Sequence, residues 1–436
     1  MGLRLRTILG PYARGCITYV RTYNLPALIL ALSVWPGIAS GDGGSTKNSA
    51  ELSIGHAERP WIPAESPGRA VAGLTSQRKL NPNLLKLPAG RWVEIHEQKP
   101  GDEVTFKRQA HAGSAFDTRR GRIIIFGSDT HGEDWSNSPL FFDVASLTWS
   151  RLYPDDERGT YRVDSQGIPV AGVNESHPWA MHTFGSVEYD PVGDALVVSS
   201  YPRHLEPGRF TDALAGVWPQ IGRHPTWKLH FETGQWEPLR DRAVDFFPYA
   251  TAYDHDRRVI IGYKSVGVFE LDLHSSGWKQ VAPKGLLGYS NNAVYDSHHR
   301  ALVVFGSSGN SNDIVVYEPA TKRHLKMKTP GERPPADQHN PMAFHTGIAK
   351  TVVLVDRARG DRPTRDLREM QAETWLYDLG KDVWEQLKSA TLPFGCGMNY
   401  NMEYDPVHDL LLLVANLPEK PTAVWALRLY PIMPGT

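Results

Sequence analysis

Histidine, tyrosine and arginine recur at corresponding points of this chain: His111 matches His182, His131 matches His204, and Tyr201, Arg203 and Tyr249 fall close by. Imidazole and phenol groups within hydrogen-bond reach of a reacting atom can take up and return a proton, and a neighbouring guanidinium can neutralise an anion. Tyr289, Asn291, Asn292, His339, Asn340 and Asn399 open later segments of the same pattern and, with His111, offer polar groups to a bound molecule. The stretch 356–370 is rich in arginine and reads first as a solvated loop, with Arg357 as its candidate for binding. If three or more of the four histidines meet, they also offer ligands for a divalent metal. No metal is assigned from the residues, and the cofactor content is unknown. Glu133, Asp134, Glu175 and Glu206 lie in the same loops and would serve glycoside hydrolysis if two of them faced each other. Nothing in their spacing fixes a separation.

The elements that must position these groups form a repeat. A Tyr-Asp or Phe-Asp pair, a polar turn and an aliphatic strand recur: Phe116-Asp117 before Ile123–Phe126, Tyr189-Asp190 before Leu196–Val198, and Tyr253-Asp254 before Val259–Ile261. Tyr295-Asp296 precedes Leu302–Phe305 and Tyr404-Asp405 precedes Leu410–Leu413, while a further copy keeps Val352–Val355 without the pair. Third and fourth strands follow, the fourth marked by Trp149, Trp236, Trp278 or Trp384, with His324 in that place once. Short β-rich runs at a period of roughly 40–50 residues indicate four-stranded propeller blades. Six copies are visible between residues 108 and 430, so six blades are expected, or seven if one escapes the count. Residues 90–95 resemble a fourth strand with nothing before it, and the last copy stops after its third, Val424–Leu427; together they would close one blade and leave no open edge.

In such a blade the turns between strands one and two and between three and four share one rim. The loops between strands two and three share the other with the connections between blades. All turns on the first rim are short, whereas 153–178, 201–225, 329–341 and 356–372 are insertions on the second. Every candidate above falls on this elaborated rim, where binding and catalysis usually reside. Trp179, Trp218 and Trp227 belong to its insertions, either as platforms for sugar rings or as anchors for the loops.

The Tyr-Asp pair, the aliphatic strand ending in Gly and the distal Trp resemble the kelch-repeat family over roughly residues 90–430. The usual double glycine is replaced, as in Phe126-Gly127-Ser128 and Phe305-Gly306-Ser307. The resemblance implies an all-β, kelch-type propeller and allows either a protein-binding scaffold or a secreted sugar-active enzyme. His, Tyr and Arg around a funnel are similar to the sites of propeller lyases that cleave uronic-acid polysaccharides. That likeness implies Arg203 on the uronate carboxylate, His182 or Tyr201 as base, and His131, His204 or Tyr249 as acid. A copper-radical oxidase of the galactose oxidase type is disfavoured, since nothing places Cys396 near a ligand pair.

Composition narrows the partners. A net charge of −1 gives no basic surplus for nucleic acid. The apolar run Leu25–Ala39 follows Arg4, Arg6, Arg14 and Arg21 and is short for a membrane span of about 20 residues. Residues 1–40 therefore read as a signal peptide or an uncleaved anchor, 41–89 as a flexible tether, and 90–436 as the propeller. A secreted, periplasmic or cell-surface monomer is expected, with a polysaccharide or envelope component as partner and the anchor as its one membrane contact. Cys16 leaves with a cleaved signal, so Cys396 stands alone, without a disulfide framework.

Overall fold

The computed structural model describes residues 79–102, 111–130, 134–274, 277–308, 311–335, 338–360, 364, 366–396, 401–417 and 420–431. The expected signal, the tether up to residue 78, and His131, Glu133, Asn310, Arg362, Arg365 and Asn399 lie outside them.

The repeated aspartate makes a turn. Asp117 accepts hydrogen bonds from the backbone N–H groups of Arg119 and Arg120, Asp254 from those of Asp256 and Arg257, and Asp296 from those of His298 and His299. Asp190 and Asp405 each hold the N–H two residues on. A short carboxylate that captures its own downstream backbone closes the chain locally. The last residue of every such turn is left-handed, Gly121, Asp194, Arg258, Arg300, Ala349 and Asp409 in order, and the chain then enters the second strand. The copy without the pair has Phe344-His345 there, and His345 Nε2 lies 3.2 Å from Asp409 Oδ1 of the next repeat.

Each turn opens a four-stranded antiparallel sheet. Sheet one comprises Gly113–Asp117, Arg122–Phe126, Leu140–Asp143 and Thr148–Arg151; sheet two Val187–Asp190, Ala195–Val198, Trp227–His230 and Gln235–Pro238. Sheet three comprises Ala250–Asp254, Val259–Lys264, Gly267–Asp272 and Trp278–Ala282; sheet four Asn292–Asp296, Ala301–Phe305, Ile314–Glu318 and Arg323–Lys326. Sheet five comprises Met342–His345, Lys350–Ala358, Met370–Asp378 and Val383–Gln386. Sheet six has Asn401–Asp405, Leu410–Ala415 and Ala423–Leu427 from its own repeat and takes Trp92–Glu97 as its fourth strand. The second strands are buried on both faces, which is why they read as continuous aliphatic runs rather than as alternation.

First strands abut in chain order, and the first strand of sheet six also meets that of sheet one. Each pair of neighbouring sheets shares an apolar cluster, including sheets six and one, where Leu412 and Val414 join Ile123 and Ile125. The protein is therefore all-β and propeller-like. Trp149, Trp236 and Trp384 sit in these clusters as expected. No helix among the described residues is long and apolar enough to cross a membrane.

Two features differ from the sequence reading. Residues before 90 join the packed body: Leu84 packs into the cluster between sheets six and one, and the buried Arg428 guanidinium donates to the carbonyls of Leu84 at 3.1 Å and His408 at 2.8 Å. The insertion after sheet one also carries a small three-stranded sheet, Arg162–Val163, Pro169–Ala171 and His177–Pro178. With the insertion after the second strand of sheet two it forms a satellite core of Trp135, Tyr161, Trp179, Leu205 and Leu214. Trp179 is fully buried there, its indole N–H donating to Val170 O at 2.8 Å, and Trp227 is buried in sheet two. Trp179 anchors the insertion and Trp227 packs between sheets one and two, so neither is a sugar platform; Trp218 packs, half-buried, against the satellite core.

Candidate functional site

The satellite core fixes two histidines. His182 lies three residues after Trp179, and His204 directly precedes Leu205 in the 3-10 turn Arg203–Leu205. Thr183 is hydrogen-bonded into sheet one, its hydroxyl donating to Phe126 O at 2.6 Å and accepting from Gly113 N at 2.7 Å. A Cβ at Gly127 would lie 2.5 Å from that hydroxyl, so the glycine ending the aliphatic strand is what lets the 181–184 segment approach. His111, left-handed at φ 63°, accepts from the N–H groups of Thr183 and Phe184 and is thereby held alongside.

Three imidazoles consequently form one stack. The rings of His111 and His182 are 4.2 Å apart and 2° from parallel, and those of His182 and His204 are 3.9 Å apart at 17°. Asp129 reaches the stack from the end of sheet one, with Oδ1 3.5 Å from His111 Nε2 and 3.8 Å from His182 Nε2. Phe247 stands edge-on to His182 and His204, at 5.4 and 5.0 Å. Phe184 touches His111, His182 and Phe247 and stacks on His339 at 5.3 Å. Burial lowers the His339 pKa to about 4, so this ring is neutral at pH 7.

Possible metal ligands do gather here: atoms of His111, Asp129 and His182 lie within 4.8 Å of one another. Imidazole binds an ion in the plane of its ring. The planes of His111 and His182 are parallel and stacked, so their lone pairs do not meet, and an ion held by both would require one ring to turn out.

Beside the stack lies a charged group built on the segment 241–249. Arg203 is ion-paired through Nε with Asp245, whose carboxyl pKa is raised by burial and pulled back by Arg203. Lys264, at the end of the second strand of sheet three, donates to the Asp245 carbonyl at 2.5 Å, and burial lowers its pKa. The Arg203 side chain remains 49% exposed.

Tyr201 is placed differently from a base. Its hydroxyl donates to Ala243 O at 2.6 Å, its ring stacks on His224 at 4.6 Å, and burial raises the phenol pKa. Tyr249 shares a hydrogen bond of 3.0 Å with Ser265 and meets Tyr289 edge-on at 6.0 Å. Asn291 donates to Gly288 O and Asn292 to Asn340 O, while Asn340 donates to Leu354 O; these amides brace the entries of sheets four and five. Arg357 lies on the long hairpin of sheet five, 3.2 Å from Glu373 Oε1. None of these contacts of Asn291, Asn292 or Arg357 reaches the imidazole stack.

Sequence reading missed Asp129, Asp245, Phe247 and Lys264. Asp129 was visible in principle, two residues beyond Gly127 and two before His131. Lys264 ends a strand, and Asp245 and Phe247 lie in an aperiodic loop where charged residues are common. Comparison with models of known protein families finds no match, and comparison with curated proteins likewise finds none.

Proposed function

We propose that the protein is a secreted or envelope-exposed, closed six-bladed propeller of kelch type that binds an acidic polysaccharide and cleaves it by β-elimination at the imidazole stack. The carrying observation is the stack of His111, His182 and His204 with Asp129 at its side and Arg203 next along the chain. Three imidazoles in contact beside one carboxylate offer groups that can both take up and give up a proton. A proton donor and an acceptor are then adjacent. Arg203, helped by Lys264, takes the uronate carboxylate. His182 is only 1% exposed, so substrate entry must uncover its ring before a neutral His182 removes the proton on the adjacent carbon, as the carbon–oxygen bond to the leaving sugar breaks and a carbon–carbon double bond forms. His204 returns a proton to the leaving oxygen. Tyr201 has no part in the transfer, since its proton is held on Ala243.

A second reading is a non-catalytic recognition module at the cell envelope. It is favoured by the ion pair that already engages Arg203. The full chain, presented with alginate, polygalacturonate and glucuronan with and without divalent ions, separates the two by ultraviolet absorbance of the unsaturated product. Absorbance that appears with wild type and is lost in His182→Gln and Arg203→Ala is expected. Retained binding to one polymer without absorbance would replace elimination by recognition, and no binding to any uronate polymer would sink both.

A further inference from the structure

The site continues sideways into a run of linked side chains, buried at His204 and Asp245 and open at Arg203, that ends in a half-exposed aromatic ring on each side. At one end Phe210, 52% exposed, lies 5.1 Å from the His204 ring, with the Arg209 guanidinium 5.5 Å above it. From His204 the strip passes to its neighbour Arg203, across Asp245 to Lys264, and from the Lys264 ammonium to the Tyr249 ring at 5.5 Å. Tyr249 then meets Tyr289, which is 50% exposed, at 6.0 Å. Among the described residues most large aromatic side chains are buried, so two half-exposed rings joined to the same polar site are informative.

We propose that Phe210 and Tyr289 are stacking platforms for two sugar rings of one acidic oligosaccharide, flanking the sugar held by Arg203 and Lys264. The apolar faces of a pyranose pack on an aromatic ring, while its carboxylate and hydroxyls need the cations and hydrogen-bonding groups that lie between the two platforms. Arg209 extends the positive charge to the outer sugar. A single sugar cannot touch both ends of a strip with several side chains between them, so the occupant is a chain of at least three units. An acidic peptide shares the charge but lacks flat apolar faces for both rings. This inference rests on the acidic-polysaccharide reading and adds the length and placement of the bound segment.

The test uses the full chain and polygalacturonate, alginate and glucuronan oligomers of increasing length, with Phe210→Ala, Tyr289→Ala, the double change, and tryptophan at either position. Both rings are exposed, so unchanged unfolding midpoints are expected. Each alanine should weaken binding, or raise KM, about tenfold for long oligomers with turnover unchanged, should leave the monomeric uronate unaffected, and should be rescued by tryptophan. Wild-type affinity in both alanine variants, with binding still lost in Arg203→Ala, would remove the platforms and leave the polysaccharide reading standing. Failure of every uronate oligomer to bind wild type would remove that reading and the platforms together. Oligoglutamate binding with the same dependence on both rings would assign the strip to an acidic peptide instead.

Discussion

The two rims of the molecule use charge in opposite ways. On the short-turn rim Asp117, fully buried, accepts two backbone N–H groups and is met by Arg120 and Arg122, and Asp254 repeats the device with Arg257. Phenols join across sheets, as when Tyr253 donates to Asp190. The repeated aspartates there each take a backbone N–H of their own turn. On the long-loop rim three histidines stack on one another beside an aromatic wall, and Arg203 next to them is half open to solvent. Charge near the turns closes the chain locally; charge among the insertions is paired on one side and half open to solvent on the other.

The sharpest way to break this contrast is at the turns. Asp117→Ala leaves Arg122 without its carboxylate and should cost about 3 kcal/mol of stability, read by chemical denaturation, without changing the affinity of the molecules that remain folded. On the opposite rim, His182→Gln should lower elimination roughly a hundredfold while costing on the order of 1 kcal/mol of stability, so its effect shows in turnover rather than in the unfolding midpoint. A stability loss without a turnover loss would reassign the stack to packing.

Between the rims lie two carboxylates belonging to neither pattern. Glu188 and Glu403 occupy the same place on the first strands of sheets two and six. They accept from Thr251 at 2.8 Å and Ser114 at 2.5 Å. Surface area makes them only partly buried, yet inner strands surround them, and that enclosure governs the cost of charge. Burial raises Glu188 to about 8 and Glu403 to about 7, with repulsion between the two also lifting Glu188. A carboxyl whose folded pKa exceeds its unfolded value favours folding fully below the unfolded value and loses that contribution as pH rises through the folded one. Stability should therefore fall from about pH 4.5 towards pH 8, and Glu188→Gln should flatten the decline and stabilise the protein at pH 8 by on the order of 1 kcal/mol. The smallest effect is expected at Arg368, whose bonds go to the adjacent Asp366 on an exposed turn; Arg368→Ala should leave both the unfolding midpoint and polymer binding unchanged.

What could be read in advance follows the same division. The Tyr-Asp pair and the aliphatic strand encode a turn and a buried strand within about ten residues, and each repeats, so the sheets and their order were legible. The approach of His111, His182 and His204 was legible too, because overlaying repeats puts equivalent positions in neighbouring sheets. The small sheet at 162–178 was not, since strands of two or three residues have no period. Nor were the actual partners of Tyr201, Asn292 and Arg357. A side chain at a strand end can turn to the site or to the nearest carbonyl, and only the packed insertions decide which.

The strand that completes sheet six has a kinetic meaning. Trp92–Glu97 must wait for Ala423–Leu427, and Leu84 for Arg428, 344 residues later. At a synthesis rate of roughly 5–20 residues per second the early strand spends tens of seconds unpaired on the ribosome. Five and three-quarter sheets are thus translated before the last hydrogen-bonded ladder can form, and a nascent chain stalled a few residues short of Val424 would present an unzipped edge to any other strand it met.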